Sequence, residues 1–256
     1  MLRIIRERFR QGYRTAPFPK VEPVLPERFR GLPVIDPKKC PAGCTDCEGS
    51  CPFGAITRPN GLPRIDLGRC LFCADCPACP YGAITFGNDY RLATCQRQDL
   101  FYDGAEHLLA QKLKKKMLSL FGRSLKLRQV SAGGCNACEA DVNVLSTLVF
   151  DLGRFGIQFV ASPRHADGLL VTGPVTENMR LALLTTYEAV PGPKIVIASG
   201  ACAISGGPFV DSPEVHNGLE SILPIDLYIP GCPPHPYTIL DGLLRLLDQR
   251  KQTQKR

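Results

Sequence analysis

Between Cys40 and Pro80 the chain reads CPAGCTDCEGSCPFGAI, then a turn-rich spacer, then CLFCADCPACPYGAI. Each run holds four cysteines, ends in Cys-Pro, and carries the same tail, Gly-Ala-Ile-Thr. Sulfur ligands gathered in fours select zinc or iron–sulfur clusters. C-x₂-C pairs are also a zinc-ribbon spacing, but a ribbon accounts for neither the Cys-Pro endings nor the duplicated tails. Runs closed by Cys-Pro are the iron–sulfur version, in which the fourth cysteine of each run crosses to the other cluster. On that logic Cys40, Cys44, Cys47 and Cys79 hold one cluster, and Cys70, Cys73, Cys76 and Cys51 hold the second. A disulfide framework fits less well, because the chain has 13 cysteines, an odd number, and metal-spaced thiols need a reducing compartment.

At this point the chain resembles the two-cluster bacterial-type ferredoxins. Their usual spacing is C-x₂-C-x₂-C-x₃-C-P. Here three residues separate Cys40 from Cys44, and two separate Cys76 from Cys79, so which sulfur completes each cluster stays open.

Four more cysteines carry a third site. From Leu125 onward, short apolar strands are predicted at Leu125–Val130, Ile157–Val160, Gly168–Val171, Lys194–Ala198 and Asp226–Ile229. They alternate with helices over about 139–152, 177–189 and 236–249. Such alternation predicts an α/β domain with a mostly parallel sheet. Ligands of open parallel sheets gather beyond the carboxyl ends of the strands. Cys135 and Cys138 follow the first predicted strand, Cys202 the fourth and Cys232 the last. Four thiols from three loops at one end of one sheet make a cluster site, with glycines beside them that let backbone approach closely. Cys95 stands outside every group and reads as an ordinary buried thiol.

The rest of the chain must position these sites. Residues 1–37 are predicted as a basic amphipathic helix over residues 2–10, of the kind that lies on a membrane surface or a partner, followed by an extended arm. That arm holds six prolines between residues 15 and 37. Residues 38–100 form the cysteine module, with an Asn-Gly turn between two short strands and a second turn at 87–89 flanked by 84–86 and 91–94. Residues 101–122 are predicted to be a helical connector, and 123–250 the α/β domain. The net charge is +7 and the apolar fraction 44%. No apolar run approaches the roughly 18 residues a spanning helix needs, and the N-terminus lacks a secretory apolar core. The expectation is a cytoplasmic protein, peripheral on the inner face of the cell membrane. No P-loop or G-x-G-x-x-G is present, so neither nucleotide nor nucleic acid is expected as a partner. His107, His165 and His216 are isolated, and only His235, near Cys232, is placed to tune a cluster from outside its ligands.

The segments RSLKLRQVSAGGCNACEADVNVL, GACAISGGPF and YIPGCPPHPYTILDGLL are similar to the small electron-transfer subunit of energy-converting membrane-bound [NiFe]-hydrogenases and respiratory complex I. That subunit is flavodoxin-like, an α/β fold. Two residues separate Cys135 from Cys138, which resembles the hydrogenase branch rather than the adjacent cysteines usual in complex I. The first half is similar to the two-cluster ferredoxin subunit of the same complexes, so the chain resembles a natural fusion of two subunits. The resemblance implies three [4Fe-4S] clusters, the third being the proximal one. It also implies a large-subunit partner, membrane-arm subunits and an electron donor or acceptor protein. Glu139 matches a glutamate associated there with proton movement; its alternative role is a carboxylate stabilising a helix N-terminus. Rival readings are a complex I-like quinone oxidoreductase subunit, a nickel-less relative, and a zinc-stabilised basic binding module.

Overall fold

The computed structural model describes residues 2–73, 76, 78–113, 115–121 and 124–248. A basic helix, α1 (Leu2–Gln11), opens the chain and buries none of its side chains. Leu2 and Phe9, on its apolar side, are both 84% exposed. The Pro-rich segment is extended, as its prolines dictate, yet it packs on the rest of the chain through Phe18, with Leu25 and Phe29 against the same core. Phe18 is buried, with its ring 6.0 Å from that of Tyr90 and 5.2 Å from that of Tyr237. Arg154 Nη2 holds it down by donating to the carbonyls of Ala16 at 2.8 Å and Phe18 at 3.0 Å.

The cysteine-rich half contains β1 (Pro33–Ile35), α2 (Asp46–Ser50), β2 (Ile56–Thr57), β3 (Arg64–Asp66), β4 (Ile84–Phe86) and β5 (Phe101–Tyr102). The two repeats fold alike. Gly54 N–H donates to the Cys51 carbonyl and Gly82 N–H to that of Cys79. Both turns lead into a buried Ala-Ile pair, Ala55–Ile56 and Ala83–Ile84. The Asn60–Gly61 turn joins β2 and β3 antiparallel, Ile56 opposite Ile65, as predicted. The second predicted hairpin does not form. Instead β4 pairs antiparallel with β1, Ile84 opposite Ile35, and Thr94 exchanges backbone bonds of 3.0 and 2.8 Å with Tyr228. An edge strand offers unpaired backbone groups, and residues 91–94 are drawn to that edge.

The predicted connector helix is mostly absent. Among the described residues only α3 (Lys115–Phe121) is helical there, while positions 114 and 122 lie outside them. Residues 104–113 run extended: Ala110 N–H donates to Ala93 and Leu113 N–H to Leu246. These long-range partners satisfy the backbone without an i→i−4 ladder, so the spacing of His107, Ala110 and Leu113 serves as a row of anchors.

The second half contains β6 (Leu125–Ser131), α4 (Ala137–Val144), β7 (Ile157–Phe159), β8 (Gly168–Thr172) and α5 (Glu177–Ala189). It continues with β9 (Ile195–Ser199), α6 (Ala201–Ser205), β10 (Leu227–Ile229) and α7 (Pro236–Leu246). The five strands form one parallel sheet in the order β10-β9-β8-β6-β7. By position in the domain this is 2-1-3-4-5, the flavodoxin-like order, whose switch point lies between β6 and β8. Every residue of β8 and β9 is buried, the near-continuous apolar pattern of strands covered on both faces. Every predicted strand is present. α4 is shorter than its predicted span, ending at Val144 before the turn Leu152–Phe155. α6, five buried residues inside GACAISGG, has too few residues for a helical period to show; position 249 of the last predicted helix lies outside the described residues.

The halves meet at several places. Ser205 Oγ donates to the Gly68 carbonyl at 2.9 Å, and Leu67 and Leu100, fully buried, belong to the same apolar core as Ala203, Ile204 and Tyr228. Beside it Asp66, itself buried, takes a two-pronged bond from Arg97, Nη1–Oδ1 2.9 Å and Nη2–Oδ2 2.5 Å. Bidentate pairing of this kind satisfies a buried carboxylate that would otherwise be costly.

Candidate metal centres

The third site is assembled at the carboxyl ends of β6, β9 and β10. Cys135 lies on the turn before α4, Cys138 in the first turn of α4, Cys202 on α6, and Cys232 after β10. All four are free thiols; Cys202 is buried, Cys138 half-buried, Cys135 and Cys232 exposed. Gly200 makes the gathering possible. Its φ of +96° suits glycine alone, and a Cβ there would lie 2.6 Å from Cys138 Sγ. Gly207 likewise crowds Cys202 Sγ, at 2.8 Å from a Cβ position.

The thiols feel one another. Burial first, then Cys202, Glu139, Cys232 and Cys135, push the Cys138 thiol far up. Burial, then Cys232 and Cys135, push Cys202 up to about 12. Burial also raises Cys232, followed by Cys135 and by Cys73 of the other half. Four gathered thiols lined by glycines, three of them pushed up together, fit a multi-iron cluster whose positive charge offsets the crowded thiolates and displaces their protons. The gathering is loose: among the described residues no three His, Cys, Asp or Glu are set to hold a single metal ion.

The two runs interleave. Cys47 is pushed up by burial, lowered in part by Arg58, and raised again by Cys79 and Cys40. Cys70 is pushed up to about 12, by burial first; the Phe72 N–H lowers it, while Cys76, Cys73 and Cys51 raise it. Burial raises Cys76 too, with Cys51 foremost among its thiol neighbours. Cys79 thus lies close to Cys47 of the first run and to Cys76 of its own, and Cys51 close to Cys70 and Cys76 of the second. Backbone donors point at sulfur, Phe72 N–H to Cys70 Sγ at 3.4 Å and Ala83 N–H to Cys79 Sγ at 3.3 Å. Such bonds favour thiolate and suit a cluster. Cys44, half-buried, lies on the loop before α2.

Glu139 is buried in the first turn of α4. Thr172 Oγ1 donates to its Oε1 at 2.5 Å. Burial pushes its carboxyl up, but hydrogen bonds from Ser131, Thr172 and its own backbone N–H outweigh this and hold it below the usual range. An ionised carboxylate at a helix start, one residue from Cys138, is compatible with either role the sequence allows. His235 is a helix cap: its Nδ1 accepts the Tyr237 N–H at 3.2 Å, its ring stacks on Tyr237, and burial lowers its pKa. Cys95 donates to the Gln111 carbonyl at 3.4 Å and packs against the core, as an ordinary thiol does.

Sequence reasoning missed Arg58, whose Nη2 lies 3.8 Å from Cys40 Sγ. The signal was available. CPFGAITR and CPYGAITF agree after their aromatic position until the last residue, where Arg58 stands opposite Phe86.

Residues 135–246 match the family described as NADH ubiquinone oxidoreductase, 20 Kd subunit. Over 142 residues the chain is 43% identical to the probable membrane-bound hydrogenase subunit mbhJ of Pyrococcus furiosus, an alignment covering 54% of this chain and 85% of that one. The chain belongs to the 20 kDa subunit family. Formate hydrogenlyase subunit 7 of Escherichia coli is 46% identical over 141 residues, 54% of this chain and 55% of that protein. The chain thus spans about half the length of this second relative. An NADH-quinone oxidoreductase subunit of Citrifermentans bemidjiense is 47% identical over 116 residues, 45% of this chain and 68% of that one. As a 20 kDa-family member the chain is an electron-transfer subunit of the hydrogenase and complex I-like oxidoreductases. None of its described helices is long and apolar enough to cross a membrane.

Proposed function

We propose that the chain relays electrons through three [4Fe-4S] clusters to or from the large subunit of a membrane-associated [NiFe]-hydrogenase-type complex. The observation that carries this reading is the convergence of Cys135, Cys138, Cys202 and Cys232 at the carboxyl ends of β6, β9 and β10 in a chain that also holds two interleaved four-cysteine runs. The order is then the centre of Cys40, Cys44, Cys47 and Cys79, the centre of Cys70, Cys73, Cys76 and Cys51, and the centre of Cys135, Cys138, Cys202 and Cys232. Each cluster, when bound, takes up and returns one electron. The chain's own part is to hold the sulfurs, to aim N–H groups at them, and to keep Cys202 and Cys47 away from water. Cys135 and Cys232 remain exposed, a face on which a large subunit can sit. Beside Cys138 the buried Glu139 is held ionised by Thr172 and Ser131, so a proton-transfer role requires the bound large subunit to weaken those hydrogen bonds.

The first half supplies a two-cluster ferredoxin module, supported by the repeated turns before β2 and β4 and by the interleaved thiols. The exposed apolar side of α1, flanked by arginines, suits the inner membrane surface or a membrane-arm subunit. A complex I-like quinone reductase role is favoured by the similarity to the NADH-quinone oxidoreductase relative, whereas the Cys135–Cys138 spacing favours the hydrogenase branch; nickel analysis of the isolated complex separates the two.

The test is Cys232→Ala in the assembled complex. One cluster of three is lost, the other two remain reducible, and electron delivery to the partner stops. A complex that assembles, lacks the third cluster and still passes electrons from the natural donor at the wild-type rate refutes the relay. Iron and sulfide analysis of anaerobically purified chain, against zinc, excludes or upholds the cluster chemistry itself.

A further inference from the structure

Arg58 is half-buried at the end of β2, and its side chain is only partly accounted for. Nη2 donates to the Gly61 carbonyl and lies 3.8 Å from Cys40 Sγ. Its Nε and Nη1 are buried and have no hydrogen-bond partner. Among the described residues no carboxylate pairs with this guanidinium, and a desolvated cation is costly unless something negative offsets it. The nearest groups able to do so are the sulfurs of Cys40 and Cys47, both of which feel its charge or its N–H. The other repeat has no such group. Phe86 takes the equivalent place and packs on Phe72, ring centroids 5.8 Å apart.

We infer that Arg58 is the fixed counter-charge of the centre formed by Cys40, Cys44, Cys47 and Cys79, and that it holds this centre's reduction potential above that of its twin. The inference rests on the cluster reading proposed above. Reduction adds one electron and releases no leaving group, so a fixed positive charge beside the sulfurs favours the reduced form. At about 4 Å a unit charge screened as in bulk water is worth roughly fivefold in an equilibrium, and partial burial increases it. Arg58 makes the two centres unequal although their loops are near copies, leaving the outer one the easier to reduce.

The experiment compares the full-length chain with Arg58→Gln and Arg58→Lys, all purified anaerobically and titrated with dithionite under electron paramagnetic resonance. The signal of the Cys40 centre is identified by its alteration in Cys44→Ser. The Gln variant should shift that centre's reduction equilibrium about tenfold toward the oxidised form, about 59 mV for a one-electron couple. The Lys variant should keep most of the wild-type value, and the Cys70 centre should not move. Loss of the centre in the Gln variant but not in the Lys variant also supports the counter-charge. An unmoved potential in the Gln variant, equal shifts or equal losses in both, or a shift confined to the Cys70 centre overturns the inference. Iron and sulfide present with no such shift leave the cluster reading standing and defeat only this step. Zinc in place of iron defeats both.

Discussion

Gly200→Ala probes the tightest point of the third site. Gly200 sits at φ +96° between β9 and α6, and a Cβ there meets Cys138 Sγ at 2.6 Å. A non-glycine residue held at φ +96° and ψ 154°, a region essentially confined to glycine, costs about 1–3 kcal/mol, and forcing extra volume into packed surroundings costs about 1–3 kcal/mol more. The expected loss is therefore about 2–6 kcal/mol. At about 2–4 °C per kcal/mol for a chain of this size, the apparent melting temperature should fall by roughly 4–24 °C. The displaced Cys138 sulfur should also cost the chain one cluster. Gly153→Ala is the control, since nothing lies within 4 Å of a Cβ there and such a change should stay within about 0.5 kcal/mol. Differential scanning calorimetry and iron analysis, both anaerobic, read the two effects. A Gly200→Ala chain that melts with the control and keeps its full iron complement refutes the claim that this glycine makes room for the sulfur.

Deleting residues 2–14 should release the chain from membranes at low and high salt while its iron content stays intact; an unchanged membrane fraction shows that α1 is no anchor. Cys79→Ser should perturb the centre of Cys40, Cys44 and Cys47 more than that of Cys70, Cys73 and Cys76, read by resonance spectra of the reduced chain, and the reverse pattern means the altered spacings have rewired the module. Burial lowers the pKa of His107, whose Nε2 contacts the Leu92 carbonyl at 3.1 Å, and of His235. The unfolded chain therefore binds more protons below the ordinary histidine range, near pH 6.5, and stability must fall as pH drops through that value toward the lowered folded pKa. His107→Gln should reduce that slope in urea melts between about pH 5 and 7; an unchanged slope shows that His107 is not its source.

The sheet was legible because buried parallel strands such as Leu169–Thr172 are continuous apolar runs bounded by glycine, and because crossovers leave a period that a helix such as Glu177–Ala189 displays. The two cysteine runs stood out by their spacing, and the other four thiols by their place after predicted strands. What local pattern could not show were tertiary choices. His107, Ala110 and Leu113 recur every three residues, which serves a helix or an anchored extended segment equally, and the distant carbonyls of Ala93 and Leu246 decided for the latter. Thr94 joined Tyr228 because β10 offered a free edge, information that lies more than a hundred residues away in the sequence. Arg58 stayed hidden because a lone arginine after a strand reads as a solvated end, until the fold places it against Cys40.

The contact between the halves is spread along the chain: the Thr94–Tyr228 bridge, the Ser205 hydroxyl on Gly68, the Leu113 N–H on Leu246, Arg154 on Ala16 and Phe18, and two apolar cores to which both halves contribute. Separate polypeptides would have to meet before any of it formed. On one chain the two faces are never diluted from each other, and a short tether sets a local concentration in the millimolar range. Stoichiometry is then fixed at translation. Tether and contact act together, and the spacing between neighbouring thiol groups becomes a property of one polypeptide rather than of assembly.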